Sequence, residues 1–127
     1  MMVNGKFGTV INCIDGRTQF PVLTWIKENY SLDYIDTITE PGPDKAISEK
    51  NVSKIEQLKS KVSISIKAHG SETLIIAGHH DCAANPVSKV EHLEQIKKSV
   101  QILKSWNFEI EIFGVWVNEE WKIEHVD

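Results

Sequence analysis

Three short apolar runs constrain this chain most. "GTVINCI" from Gly8 to Ile14 is rich in β-branched residues, "TLIIAG" from Thr73 to Gly78 is continuously apolar, and "EIEIFGVWV" closes at Val117. Runs of this length and composition read as strands buried in a sheet. A fourth segment, "LDYIDTITE", alternates well enough to be a further strand. Between the runs lie segments of helical period. Val22, Ile26 and Tyr30 form the first stripe, Val52, Ile55, Leu58, Val62 and Ile66 the second, and Val90, Leu93, Ile96, Val100 and Leu103 the third. The order is β-α-β-α-β-α-β. It predicts an α/β fold with a mainly parallel β-sheet of about four strands, flanked by helices on both faces. "NEE" is a turn and "WKIEHV" a C-terminal strand or hairpin.

Punctuation supports these spans. "DGRTQFP" is a turn, with Pro21 suited to the first turn of a helix. "PGPDK" breaks the second strand and reads as a loop. Ser53 with Glu56 fits a capping box, although the long helix is free to start as early as Asp44, and Gly70 is its stop. Asn85-Pro86, or Ser88 with Glu91, opens the third helix.

Length places all 127 residues in one domain, 1–127. A net charge of −4, with no basic run, argues against nucleic acid or an anionic membrane as partner. The amino terminus has a glycine and a lysine where a leader would be apolar, and no stretch is long enough to span a membrane. A cytoplasmic protein is expected. There, Cys13 and Cys82 are thiols or metal ligands rather than a disulfide, and their distance in sequence excludes a CxxC pair.

In parallel sheets sites form at the carboxyl ends of strands. Cys13 ends the first strand, and "GHHDC", Gly78 to Cys82, ends the third. Two thiolates and one imidazole suit Zn²⁺, and three protein ligands leave a fourth position open to water. Asp15 is an alternative fourth ligand that would close the site. His79, three residues before Cys82, is the expected ligand. His80 stands at the mouth, as pocket residue or proton relay. Asp15 and Arg17 are two apart, so an extended stretch would point both the same way, and a guanidinium can grip a carboxylate with two parallel bonds.

"CIDGR" followed far downstream by "GHHDC" resembles the β-class carbonic anhydrases, whose signature is Cys-x-Asp-x-Arg at one strand end and His-x-x-Cys at another. The resemblance implies zinc on Cys13, His79 and Cys82, with Asp15 and Arg17 as the catalytic dyad. It also implies interconversion of CO₂ and bicarbonate by attack of zinc-bound hydroxide. A homodimer or higher homo-oligomer, with the site near the interface, follows from the same resemblance. Asp81 before the cysteine is familiar in that family. Ala83 stands where a glycine usually follows. "TEPGPDK" replaces the usual Arg-Asn-Ala-Gly segment, and the chain begins almost at its first strand, without the amino-terminal helices that embrace a partner. A short, divergent member is therefore expected. Two alternatives remain: action on a related small molecule such as carbonyl sulfide or carbon disulfide, or a non-catalytic zinc protein.

Other residues get structural readings. His69 beside Gly70 suits a helix carboxyl end. His92 and His125 are expected on solvent faces. Trp106, Trp116 and Trp121 are core or interface residues. Gly42 serves a turn, and Asn85 is a helix cap.

Overall fold

Strands β1 (Phe7–Asn12) and β3 (Thr73–His79) are buried along their whole length, as their unbroken apolar character requires. The computed structural model describes residues 4–127. The leader expectation also touches residues 1–3, which lie outside the described residues. Strands β2 (Tyr34–Thr39), β1, β3 and β4 (Glu111–Val117) pair in parallel in that order. Strand β5 (Ile123–Val126) then adds antiparallel to β4. The sheet is thus mainly parallel with a C-terminal hairpin, as the alternation predicts, and the hairpin makes five strands.

Period-two alternation divides the core. Val10, Ile75, Ala77, Phe113, Val115 and Val117 face helix α1 (Gln19–Tyr30), which contributes Val22 and Ile26. Ile11, Leu74, Ile76, Ile112 and Trp116 face the other way. There they meet α2 (Pro43–Ser48), α3 (Val52–His69) and α4 (Lys89–Lys104). The two faces follow from the winding. The step from β1 to β2 runs one way across the sheet, and the steps to β3 and β4 run the other. Right-handed crossovers in opposite directions put their helices on opposite faces. Among the described residues no helix is long and apolar enough to cross a membrane.

Several local expectations need correction. Part of "PGPDK" is helical: Gly42, at φ 55°, turns the chain and α2 starts at Pro43. Proline suits a first helical position because its missing N–H has no partner there anyway. The cap of α3 is Asn51, whose side chain accepts from Lys54 N, not the Ser53–Glu56 box. Helix α4 is capped by Ser88, which accepts from Glu91 N. Asn85 is no cap. The buried face of α4 is His92, Ile96, Ser99 and Leu103. Val90, in its first turn, is 66% exposed. His92 is only 1% exposed, against the solvent placement expected for it. The true stripe carries two polar residues, so an apolar stripe offset from it looked better.

His69 lies in the last turn of α3, where its Nδ1 pairs with Asp36 Oδ2 at 2.6 Å. Nearby, Ser65, Thr9 and Ser71 share short hydroxyl hydrogen bonds, and Ser65 also donates to Asp36. This polar knot closes the amino end of the sheet, opposite the candidate site. His125 is exposed, as expected.

Leu74 is fully buried between β1 and β4 and packs into the α2–α4 face. Leu74→Ala is expected to lower unfolding free energy by about 2–5 kcal/mol, the usual range for a buried leucine that leaves a cavity. Urea titration of the metal-free protein measures it. A loss well under that range would show that the α2–α4 layer closes over the gap.

Candidate metal centre

The carboxyl ends of β1 and β3 are neighbours, because the winding direction reverses between these two strands. Cys13 follows β1 directly, His79 is the last residue of β3, and Cys82 lies in the loop after it. All three are buried. One ligand atom from each falls within 4.8 Å of the others, and among the described residues these three form the group able to hold a metal ion. The two sulfurs are 4.0 Å apart and both cysteines are free.

The ring of His79 is already oriented. Its Nδ1 lies 2.6 Å from His80 O, and a carbonyl only accepts, so Nδ1 carries the proton. That leaves Nε2 with its lone pair, buried and without a hydrogen-bond partner. An orphaned imidazole nitrogen facing two thiols is the donor set that zinc takes.

The thiols differ. Burial pushes the Cys13 thiol up, but the neighbouring His79 ring and the N–H groups of Gly42 and Asp15 outweigh it. The thiol settles at about 7, below its ordinary 9.0. Burial and the neighbouring Cys13 raise Cys82 to about 11, against the pull of the Ala84 and Asn85 N–H groups. Burial lowers His79, yet the neighbouring Cys13 thiol, the hydrogen bond to the His80 carbonyl and the negative charges of Cys13 and Asp15 leave it above its ordinary value.

Asp15 and Arg17 do form a pair, but not on an extended stretch. Asp15 caps a single 3₁₀ turn, Gly16–Thr18, and accepts from Arg17 N at 2.9 Å. The guanidinium returns along the same carboxylate, with Nε 3.1 Å from Oδ1 and Nη2 2.7 Å from Oδ2. Its other edge binds Asp81, through Nη1 to Oδ2 at 3.1 Å and Nη2 to the carbonyl at 3.2 Å. Asp81 sits at φ 55°, a left-handed conformation that aspartate tolerates better than most. Arg17 therefore joins the loop after β1 to the loop that carries Cys82.

Trp121, in the β4–β5 turn, lies beneath the guanidinium, 4.7 Å from ring centre to Arg17 Cζ. Its ring also packs on His80, 4.4 Å between centroids. The sequence reading placed Trp121 in a core or interface and missed this contact. Nothing local signals it, because the tryptophan comes from the far end of the chain. His80 is half-buried at the rim, and its Nε2 has no protein partner.

A family model described as "Putative carbonic anhydrase" matches residues 3–127. Among solved structures, a carbonic anhydrase from Glaciozyma antarctica superposes with a TM-score of 0.62 at 18% identity, covering 94% of this chain and 81% of that one. The β-carbonic anhydrase CafA of Aspergillus fumigatus gives 0.54 at 10% identity, covering 96% of this chain and 75% of that one. At these identities the two structures show a shared fold. A search of curated proteins finds no match.

The Arg17 clamp has a pH signature. Hydrogen bonds from the guanidinium hold the Asp15 carboxyl at about 2, below its ordinary 3.8. The unfolded chain thus takes up this proton at a higher pH than the folded one. The clamp's stabilisation is complete above about pH 4 and is lost as pH falls toward about 2. Urea midpoints of metal-free wild type and Arg17→Ala, compared from pH 2 to 6, are expected to converge through that acid window. A gap that stays constant with pH would contradict the assignment.

Proposed function

The chain belongs to the "Putative carbonic anhydrase" family, and on that premise we propose that it is a zinc-dependent lyase interconverting CO₂ and bicarbonate. The observation that supports it most is the buried Cys13–His79–Cys82 group, with its unpartnered imidazole nitrogen, beside a carboxylate clamped by Arg17.

In this reading Cys13 Sγ, Cys82 Sγ and His79 Nε2 hold the zinc. When bound, zinc supplies the Lewis acidity that makes water a nucleophile near neutral pH. Asp15 is the acceptor that orients the reacting water's proton. Arg17 keeps that carboxylate ionised and turned to one geometry, which favours Asp15 as an orienting group over a fourth ligand. His80, packed against Trp121 at the rim, passes the released proton toward solvent.

Two further elements belong to the proposal. Ile14 and Phe20 flank the site and are 64% and 83% exposed, so a second copy of the chain is proposed to cover this rim. Phe20→Glu is expected to shift sedimentation from dimer to monomer. A wild type that sediments as a monomer at high concentration would remove the oligomer from the reading. Two unlinked thiols 4.0 Å apart suit a reducing compartment, which supports a cytoplasmic protein.

Stopped-flow CO₂ hydration on protein of measured zinc content tests the function. One zinc per chain, activity lost with the metal in Cys13→Ser, and a loss on the order of 10²-fold in kcat/KM for Asp15→Ala are expected. One zinc per chain with no hydration over a broad pH range would move the assignment to carbonyl sulfide or carbon disulfide as substrate, or to a non-catalytic zinc protein. Turnover of those two molecules separates the last two readings.

A further inference from the structure

Beneath the candidate metal centre lies a polar cluster that the proposed chemistry does not use. Asp44, Asn85 and His92 are each 1% exposed. Asp44 comes from α2, Asn85 from the loop that carries Cys82, and His92 from α4. His92 Nδ1 lies 2.6 Å from Asp44 Oδ2. A carboxylate accepts, so the ring donates from Nδ1. Asn85 Nδ2 donates to Asp44 Oδ1 at 3.1 Å and to Gln95 Oε1 at 2.6 Å, which commits both amide hydrogens. Asp44 Oδ1 also accepts from Lys45 N at 3.1 Å. Ser99 Oγ reaches the Asp44 carbonyl at 3.2 Å. Trp116 packs on the His92 ring. A carboxylate this deeply buried is stable only while such donors are in place.

The cluster abuts residues next to the candidate ligands on both sides. A methyl group on Gly78, the residue before His79, would come within 2.8 Å of Asp44 Oδ2. The carboxylate is thus pressed against the end of β3. A methyl group on Gly42 would meet Asn85 Cβ at 3.2 Å and Ala84 Cβ at 3.3 Å, so the turn before α2 lies directly on the Cys82 loop. Asn85 N donates to the Cys82 carbonyl at 3.2 Å, so the residue that Asp44 holds also closes the turn that carries Cys82. The Asp44–Asn85 hydrogen bond ties one turn to the other.

We propose that Asp44, Asn85 and His92 are positioning residues for metal binding. By locking the Gly42 turn to the Cys82–Asn85 loop, they hold the Cys82 sulfur against Cys13 and His79 at the spacing that one zinc ion needs. Outer-shell hydrogen bonds of this kind orient ligands, and their removal commonly costs 10–100-fold in metal affinity. The inference rests on the zinc reading above but not on the reaction.

Competition with a chromophoric chelator measures Zn²⁺ dissociation for wild type, Asp44→Asn, Asn85→Ala and His92→Phe. Urea stability of each metal-free protein is measured alongside. Ser65→Ala, in the polar knot at the opposite end of the sheet, is the control for lost stability alone. Asp44→Asn keeps one oxygen acceptor and sets an amide donor against the other partner, Asn85 or His92, and the double variant Asp44→Asn/Asn85→Asp lets that amide donate to a carboxylate at 85 while its oxygen accepts from His92. The three single variants are expected to bind zinc about 10–100-fold more weakly. The double variant should recover much of the Asp44→Asn loss, and Ser65→Ala should bind as wild type does. If Asn85→Ala does not fold, Asp44→Asn and the double variant decide. Single variants that bind as tightly as wild type, or weaken no more than a control of equal stability, would overturn the proposal. Tight, cluster-dependent zinc binding without CO₂ hydration would uphold it and sink the lyase. A wild type that takes up no zinc would end both.

Discussion

Three parallel residue pairs between β1 and β3, Thr9 with Leu74, Val10 with Ile75 and Ile11 with Ile76, hold the candidate site together. Cys13 lies two residues beyond the last pair and His79 three, so the register brings both to one rim. A one-residue slip would turn every side chain of β1 to the opposite face. It would carry Val10 into the α2–α4 layer and Ile11 against α1, and such a slip is opposed by two buried cores at once. The Cys13–His79–Cys82 arrangement is therefore specified by ordinary hydrophobic packing well away from it. The reversal of winding between β1 and β3 leaves no crossover helix above the rim, and the two loops meet there.

What could be read from the chain follows the range of the interactions. The strands were legible because burial on both faces leaves an unbroken apolar run. Cys13, Asp15, His79 and Cys82 were legible because each follows such a run within a few residues. Asp15 with Arg17 was read as a pair, although its geometry comes from a capped 3₁₀ turn rather than an extended segment. Residues whose meaning depends on a distant partner were not legible. His92 and Asn85 look like solvent-facing or capping residues until Asp44, more than forty positions away, is brought against them. Ser65 and Ser99 hid the buried faces of α3 and α4 in the same way, each being satisfied by a partner on another element. Trp121 could not be connected to Arg17 before the C-terminal hairpin was known to fold over the rim.

The two thiols give the site a direction. Cys13, at about 7, reaches its thiolate near neutral pH because His79 and the Gly42 and Asp15 N–H groups overcome its burial. Cys82, at about 11, keeps its proton, held by burial and by the charge of its neighbour. An incoming metal would therefore meet one thiolate first and displace the proton of the second. Uptake that releases a proton is favoured as pH rises. The asymmetry comes from His79 and from the charge between the two thiols, while backbone N–H groups in different turns favour both thiolates, so both depend on where those turns are held.

That dependence gives a role to the segment that departs most from the β-carbonic anhydrase pattern. "TEPGPDK" looks like a lost substrate segment when read as sequence. In the fold its glycine turns the chain so that an N–H faces Cys13, and its second proline starts the short helix α2. The aspartate that follows is buried against Gly78 and gathers His92 and Asn85. Burying a carboxylate is costly, and an apolar residue here would pack more cheaply. It could not, however, hold an amide from the Cys82 loop and an imidazole from α4 together. In the proposed reading the segment supports the candidate ligands from below, while Asp15, Arg17 and His80 stand at the rim.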